Sequence, residues 1–512
     1  MILLYFSFTV CVVFEFMDLI TSSYVEFSRK NPQNGRVLVV FCRGIIFRFF
    51  AVFMIFGALV ALVGHPLAAA VLAVLTGVLL VFGSGLKRNV LGEPLMFSDV
   101  AVIGAFVRHP RFYIGAIPPF ARILVLAGLA FLGASFFGLL LEDALWLRSG
   151  SGLFVRVQGL CLFVTGWFCL DILGRAGLAR RLLPAADLDM GEQRYGLLAT
   201  IVLSWLRWKD DRRRKLPGWP PVSAGQLDQA PLIVVIQCES FADPREFGLE
   251  DVSACVLPHL LCAEREGEVG KLQVSGFGAY TMRTEYGVLF GHEESELGFC
   301  RFDPYLTAEK QAADALAARL ASVCGDRVFL HPHDLRFYGR DVLMPIAGFN
   351  RLIGTEGFAA AVQGEGHIAD HAVGDRILAL IDEGVSKPSG TFIFTVTIEN
   401  HGPWSGGVAD YLQHLQQGDE LLGRVTQALG QTDRDALLVF YGDHRPSLPG
   451  AVMPGGARHT PVVVKGFGAL SAMSRLDGIS LTPAALHHRI ISLVVARHPE
   501  TAAKLSLEEN GA

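Results

Sequence analysis

The stretch VVIQCESFAD (234–243) carries an apolar, β-branched run straight into Gln237, Cys238, Glu239 and Ser240. A continuous apolar run of this length is the mark of a strand buried on both faces, as in a parallel sheet covered by helices. Its carboxylate then stands just beyond the carboxyl end of the strand, where open α/β sheets collect their ligands. Other segments end in the same way. LLVFYGDHRP (437–446) delivers Asp443 and His444, TVTIENHGPW (395–404) delivers Glu399, Asn400 and His401, and HPHDLRFYGRD (331–341) delivers His331, His333, Arg336, Tyr338 and Arg340. One histidine after a strand is ordinarily a packed or solvated residue, but four strands ending in ionisable groups are hard to explain by packing.

From Pro231 onward, short β-branched runs alternate with helix-length amphipathic segments. That pattern predicts an α/β catalytic domain over 231–512 with a central, mostly parallel sheet and crossover helices. Strands are expected at 232–237, 328–331, 391–397, 436–441 and 461–465, and helices at 308–322, 368–383, 409–429 and 484–495.

The first third has a different character. The 512-residue chain is 51% hydrophobic and 18% charged, too apolar for an ordinary soluble protein. The excess lies in stretches at 3–25, 44–64, 66–85, 122–141 and 153–173, each near the ~20 residues that cross a bilayer core. A helical transmembrane domain of about five spans is therefore expected over 1–174. The first span contains Glu15 and Asp18, and a charge at mid-membrane costs about 3 kcal/mol unless it faces protein or water. It has no basic leading region and no clean small-residue cleavage site, so it reads as an uncleaved anchor. A linker follows over 175–230. Within it YGLLATIVLSWLRW (195–208) is too short to span; it is either an interfacial helix with Trp205 and Trp208 at the headgroups or a buried one. KDDRRRKLPGWPP (209–221) ends whatever helix precedes it. Between the third and fourth spans, KRNVLGEPLMFSDVAV (87–102) places Glu93, Pro94, Ser98 and Asp99 in either a solvated turn or a surface segment that positions a lipid.

The net charge of −5, with no basic stripe interleaved with aromatics, argues against a nucleic-acid partner. The nine cysteines form no CxxC and no zinc-ligand spacing. Five of them lie beyond the membrane portion, an odd number that leaves at least one thiol free.

Glu239, Asp443 and His444 are ligands suited to one divalent cation of intermediate hardness, Mn²⁺ foremost, with Mg²⁺ and Zn²⁺ as alternatives. A hydroxyl for the same rim comes from GFGAYTMRTEYGVLFG (276–291), in which a glycine-rich turn leads to Thr281 and a helical pattern. At a helix N-terminus that hydroxyl sits in a positive field beside free N–H groups, which suits attack on a phosphate, and a cation would lower its pKa further. The competing reading makes Thr281 a helix N-cap. Arg340 is suited to bidentate contact with a phosphate or carboxylate. His401 could protonate a departing alkoxide near neutral pH, with His459 in RHTPVVV (458–464) a second candidate. Arg283 and Glu285 read either as loop-orienting groups or as surface residues.

In this order the residues resemble the lipoteichoic acid synthase-like phosphoglycerol transferases, membrane-anchored members of the alkaline phosphatase and sulfatase superfamily. The resemblance runs through the membrane segments with GEPLMFSD (92–99), the linker and the catalytic domain. It implies a single-metal site at Glu239, Thr281, Asp443 and His444, with Thr281 as nucleophile. It also implies that Arg340 and His401 contact a phosphoglycerol group in a pocket lined by His333 and Tyr338. His333 stands where the Gram-positive synthases tend to have an acidic or amide residue, and Tyr338 where they have tryptophan, a departure that bears on head group and acceptor. The implied reaction takes phosphoglycerol from a phospholipid such as phosphatidylglycerol, through phospho-threonine, to an envelope glycan or polymer.

Phosphoethanolamine transfer and phosphodiester hydrolysis are the alternatives at the same site. A sulfatase of the usual type needs cysteine or serine where this chain has Thr281, and a non-enzymatic sensor would be expected to have lost a ligand. Low lysine content with abundant alanine, glycine and arginine points to a GC-rich genome, which favours a glucan or capsular acceptor over a teichoic one. The resemblance further implies a multi-pass protein of the plasma (inner) membrane with a periplasmic or extracellular catalytic domain. Loop charges argue the opposite: Arg29, Lys30 and Arg36, then Lys87, Arg88, Arg108 and Arg111, then Arg175, Arg180 and Arg181 would mark cytoplasmic regions. The resemblance takes precedence, because basic residues near an outer leaflet also hold anionic lipids.

Overall fold

Helices α1 (Ile2–Thr21), α2 (Asn34–Val63), α3 (Pro66–Leu91) and α4 (Ser151–Arg175) carry the apolar sequence of the N-terminal part. The computed structural model describes residues 2–21, 34–99, 151–222, 230–248, 256–358 and 367–496, with isolated positions between 123 and 138. The chain divides into two compact units, Met1–Arg214 and Lys215–Ala512.

Among the described residues, Gly44–Val63, Pro66–Leu91 and Gly152–Arg175 are long and apolar enough to cross a membrane. They match the second, third and fifth expected spans. The first expected span is helical as well, with a shorter apolar stretch at Phe6–Glu15. The fourth, 122–141, lies mostly outside the described residues, as do Arg29, Lys30, Arg108 and Arg111. Helices α2 and α4 approach closely because glycines face each other: a Cβ on Gly159 would lie 2.5 Å from the Ala61 nitrogen, and one on Gly57 would lie 2.6 Å from the Phe163 nitrogen. Glu15 is accommodated by Arg48 of α2, whose Nε and Nη2 donate to its two oxygens at 2.6 and 2.7 Å while Nη1 donates to the Tyr195 carbonyl. A charge in apolar surroundings is tolerable when it is paired and hydrogen-bonded in this way.

The 195–208 stretch is helical and packs within its own unit. Gly196 separates α6 (Leu188–Tyr195) from α7 (Leu197–Asp211), after the short α5 (Leu178–Leu182). Helix α7 buries Leu197, Leu198, Leu203 and Leu206 and packs on α2. Its Trp205 and Trp208 rings meet Trp167 and Phe97, with centroids 5.2 and 5.5 Å apart. GEPLMFSD is not a freely solvated turn. Asp99 accepts from the Met96 nitrogen and pairs with Lys87, both at 2.7 Å, and Met96 and Ser98 are buried. Of the loop cations, Arg88 pairs with Asp189 and Glu192, Arg175 with Asp171, and Arg180 with Asp210. The carboxyl ends of α3 and α4 therefore share one end of this unit with α6 and α7, where the chain leaves for the second unit.

The second unit is built on an eight-stranded sheet in the order β4-β3-β5-β1-β6-β7-β2-β8. The strands are β1 (Leu232–Cys238), β2 (Val269–Gln273), β3 (Cys324–Leu330), β4 (Arg351–Ile353), β5 (Gly390–Val396), β6 (Ala436–Gly442), β7 (His459–Phe467) and β8 (Ser480–Leu481). Pairing is parallel except where β7 runs against β6 and β2. Strand β1 is buried at every position. Leu232, Val234, Ile236 and Cys238 on one of its faces join a core with α8 (Pro258–Arg265), α11 (Asp370–Val385) and α12 (Val408–Gly430). This unit also holds α9 (Thr281–Phe290), α10 (Arg340–Ile346) and α13 (Pro483–Ala496), of which α9 and α13 pack together.

One expected helix is corrected. Over 308–322 the chain forms a 3₁₀ segment, Ala308–Asp314, then an extended Ala315 and a single turn, Leu316–Arg319. Asp314 explains the break, because its side chain accepts from the Trp219 nitrogen at 2.7 Å and meets His292 Nε2 at 3.0 Å. These tertiary bonds outweigh helix propensity.

Register decides where the site forms. Gln237 pairs with both Val396 and Tyr441, and Cys238 pairs with Gly442, so Glu239 and Asp443 emerge side by side. Gly442 lets the two strand ends come this close: a Cβ there would lie 1.8 Å from the Phe241 carbonyl oxygen. Gly442→Ala is expected to cost about 3 kcal/mol, read as a lowered thermal midpoint of the full-length protein and weakened binding of divalent cation.

Candidate active site

The first turn after β1 and the first turn after β6 supply three buried residues that could hold a metal ion. Glu239, Asp443 and His444 are 3%, 0% and 2% exposed, and one donor atom from each lies within 4.8 Å of the others. The turns hold each other. The Glu239 nitrogen donates to Thr397 Oγ1 at 3.0 Å, and the nitrogens of Ser240 and His444 donate to Asp443 Oδ1 at 2.8 and 2.9 Å. Ser240 takes a positive φ of 52°, and Tyr411 OH donates to its carbonyl at 3.0 Å. Such strain in a non-glycine residue persists only where the surroundings enforce it, which is common at functional sites.

The unused donor atoms in this cluster call for a cation. His444 Nδ1 lies 3.1 Å from the Arg445 carbonyl; the carbonyl can only accept, so Nδ1 carries the proton and Nε2 presents a lone pair. That lone pair lies 3.4 Å from Asp443 Oδ2 and 3.5 Å from Glu239 Oε1. Asp443 Oδ2 is buried with no hydrogen-bond partner. Burial, and next the Asp443 charge, push the Glu239 pKa well above the usual glutamate range. Two carboxylates and an imidazole lone pair turned toward one small space fit a divalent ion and little else.

Thr281 is held against the same turn. It is the first residue of α9, and the capping position belongs to Tyr280, with φ 77° and no side-chain cap. The N-cap reading of Thr281 is thereby removed. The Gly278 nitrogen donates to the Arg445 carbonyl at 2.8 Å, and Thr284 Oγ1 donates to the Asp443 carbonyl at 2.7 Å. Both ends of the Thr281 turn are thus tied to the segment that carries two of the ligands.

The remaining expected residues divide. Arg340 is fully buried and its charge reaches Glu239, but its Nε and Nη2 are taken by Glu285. Only part of its fork remains for a substrate. Tyr338 covers it, with the ring centroid 5.2 Å from Cζ. His333 packs against His331 at a tilt and edge-on against Phe337, with ring centroids 5.8 Å apart in each pair. His401 needs correction as a proton donor. Burial, opposed by a Nδ1 hydrogen bond to the Gly402 carbonyl, pulls its pKa down to about 4, so near neutral pH the ring is uncharged and its Nε2 accepts. His459 stands outside the Glu239, Asp443 and His444 cluster, where its Nε2 meets Glu246 Oε2 at 2.7 Å and Arg445 Nη2 at 3.2 Å. Glu285 is no surface residue; it is fully buried. Sequence reasoning missed the supporting roles of Thr397, Thr284 and Tyr305. A hydroxyl three residues beyond Thr281 was a usable signal for Thr284, whereas Tyr305 is brought in only by tertiary folding.

Residues 231–477 match the family model described as Sulfatase. That match falls within the C-terminal unit, whose α/β fold is sulfatase-like. Among curated proteins, the chain is 28% identical over 458 residues to the capsular polysaccharide biosynthesis protein RkpI of Rhizobium meliloti (strain 1021), covering 86% of this chain and 84% of that one. It is 24% identical over 249 residues to a putative cyclic β-1,2-glucan modification protein of the same organism, covering 44% of this chain and 38% of that one. Among solved structures, the integral membrane protein lipooligosaccharide phosphoethanolamine transferase A (EptA) of Neisseria meningitidis aligns with a TM-score of 0.52 at 14% identity. That alignment covers 94% of this chain and 95% of EptA, a likeness of fold.

The raised Glu239 pKa has a measurable consequence. The folded chain holds a proton that the unfolded chain releases near the ordinary value of 4.5, so stability falls as pH rises above that value, by at most about 1.4 kcal/mol per pH unit for one group. In a chelator, the unfolding midpoint is expected to fall as pH rises above the ordinary glutamate value. Saturating Mn²⁺ or Glu239→Gln should flatten that slope.

Proposed function

We propose that this chain transfers phosphoglycerol from a membrane phospholipid such as phosphatidylglycerol to a cell-envelope glycan or polymer through a covalent phospho-Thr281 intermediate. The observation that carries the reading is the union of the Glu239, Asp443 and His444 donor atoms, within 4.8 Å, with the Thr281 turn pinned to Asp443 and Arg445. Glu239, Asp443 and His444 would hold one divalent cation, Mn²⁺ foremost, which when bound supplies Lewis-acid polarisation of a phosphoryl oxygen and lowers the pKa of a nearby hydroxyl.

In the first step Thr281 Oγ attacks phosphorus, the bond from phosphorus to the diacylglycerol oxygen breaks, and the threonine proton ends on the departing alcohol. The α9 N-terminus stabilises negative charge on the phosphoryl oxygens, and Arg340 contributes its remaining N–H donors. In the second step an acceptor hydroxyl attacks the same phosphorus, the bond from phosphorus to Thr281 Oγ breaks, and the acceptor's proton ends on Thr281. Neutral His401 suits this step as the proton acceptor, with His333 and Tyr338 near the glycerol end.

The envelope acceptor is supported by the roles of the two Rhizobium relatives, capsular polysaccharide biosynthesis and putative cyclic glucan modification, so a capsular polysaccharide or periplasmic glucan is favoured over a teichoic polymer. Phosphoethanolamine transfer and phosphodiester hydrolysis use the same atoms, and the head group separates them. The reading places the protein in the plasma membrane with several passes and its catalytic domain on the outer side.

With head-group-labelled phosphatidylglycerol, Mn²⁺ and a glycan acceptor, wild-type protein is expected to transfer label. Thr281→Ala should lower transfer by about 10³-fold or more while the protein stays folded and metal-bound. Retained turnover in that variant would rule the nucleophile out.

A further inference from the structure

The nucleophile helix carries a second buried charge that the transfer steps do not use. Glu285 lies four residues beyond Thr281 in α9, so the two side chains leave the same helix face. Glu285 and Arg340 are 0% and 1% exposed. Arg340 Nε donates to Glu285 Oε1 at 3.0 Å, its Nη2 donates to Oε2, and Tyr305 OH donates to Oε1 at 2.6 Å. Tyr338 closes over the guanidinium. The pair also stands near the ligand cluster, since the Arg340 charge is felt at Glu239.

A buried ion pair of this kind is not explained by stability alone, because its desolvation commonly cancels its attraction. Its effect on an incoming phosphate is more specific. An unmatched guanidinium beside a cation site adds a full positive charge and favours a dianionic phosphate monoester. A guanidinium matched by a buried carboxylate still donates a hydrogen bond but adds almost no net charge, which favours the monoanion of a phosphodiester. We infer that Glu285 is a specificity-determining residue that acts through Arg340: by neutralising it, Glu285 sets the site for monoanionic phosphodiesters over dianionic monoesters. The inference rests on the reading that Thr281 attacks a phosphate bound beside Arg340.

The test uses full-length holoprotein in detergent with bis(p-nitrophenyl) phosphate as diester and p-nitrophenyl phosphate as monoester. The diester-to-monoester ratio of kcat/KM is expected to fall by about tenfold or more in Glu285→Gln. A merely structural loss would lower both rates together and leave the ratio unmoved. Ligand-induced shifts of the unfolding midpoint give a second readout without turnover. At pH 8, inorganic phosphate should stabilise Glu285→Gln more than wild type, and dimethyl phosphate should not. If Glu285→Gln does not fold, Glu285→Gln/Arg340→Gln leaves no unpaired charge buried. Its preference between the two ligands in the thermal-shift assay should match wild type within about threefold, since the pair is net neutral in both. An unmoved ratio in Glu285→Gln, or a double variant whose ligand preference moves tenfold, overturns the inference. If Thr281→Ala keeps its turnover, the phosphotransfer reading fails. If Thr281 is required and the ratio stays fixed, only the role of Glu285 fails.

Discussion

Two carboxylates, Glu239 and Asp443, leave neighbouring strands at the same level and are buried against each other with an imidazole lone pair between them. In water such a grouping would disperse. Here the backbone forbids it, because Cys238 and Gly442 are registered partners and the Asp443 and Ser240 nitrogens bind the opposite turn. Repulsion is therefore built into the fold and is relieved only by a proton or a cation. The rest of the catalytic unit follows from this constraint: Thr397 and Tyr411 brace the Glu239 turn, and α9 is anchored on the Asp443 turn so that Thr281 arrives at a fixed place.

The strands that build this arrangement were legible because they are long, apolar and buried on both faces, so their sequences advertise both their position and their ends. The ligands were legible for the same reason, as ionisable residues immediately after such runs. Strands β2, β4 and β8 were not foreseen. VGKLQ and RLI mix charge with short apolar content, and Ser480–Leu481 has only two residues, so their pairing comes from the sheet already formed beside them. The helix expected over 308–322 failed because Asp314 serves distant partners, and no local periodicity reports such a bond. Function-bearing chemistry was misread where burial changes a side chain's character. Glu285 read either as a loop-orienting group or as a surface residue and is buried with Arg340, and His401, read as a proton donor, has its pKa pulled down to about 4 by burial.

In the membrane unit the sequence signals length and apolarity, but not which charges meet. Glu15 looked like a defect in the first span and is one half of an ion pair with Arg48. Lys87 and Arg88, which read as unpaired loop charges, are bound to Asp99, Asp189 and Glu192. These pairs gather the GEPLMFSD loop, α6 and α7 at one end of the unit, the end from which the chain continues into the catalytic domain.

The central claim is that one cation and one hydroxyl share the rim of this sheet. Crystals of the full-length protein grown with Mn²⁺ and recorded at the manganese edge test it most directly. The account predicts a single strong anomalous peak in the catalytic domain, within about 2.0–2.4 Å of Glu239, Asp443 and His444 donor atoms and of Thr281 Oγ. A peak elsewhere, or a manganese ion at these ligands with Thr281 Oγ turned away from it, would contradict it.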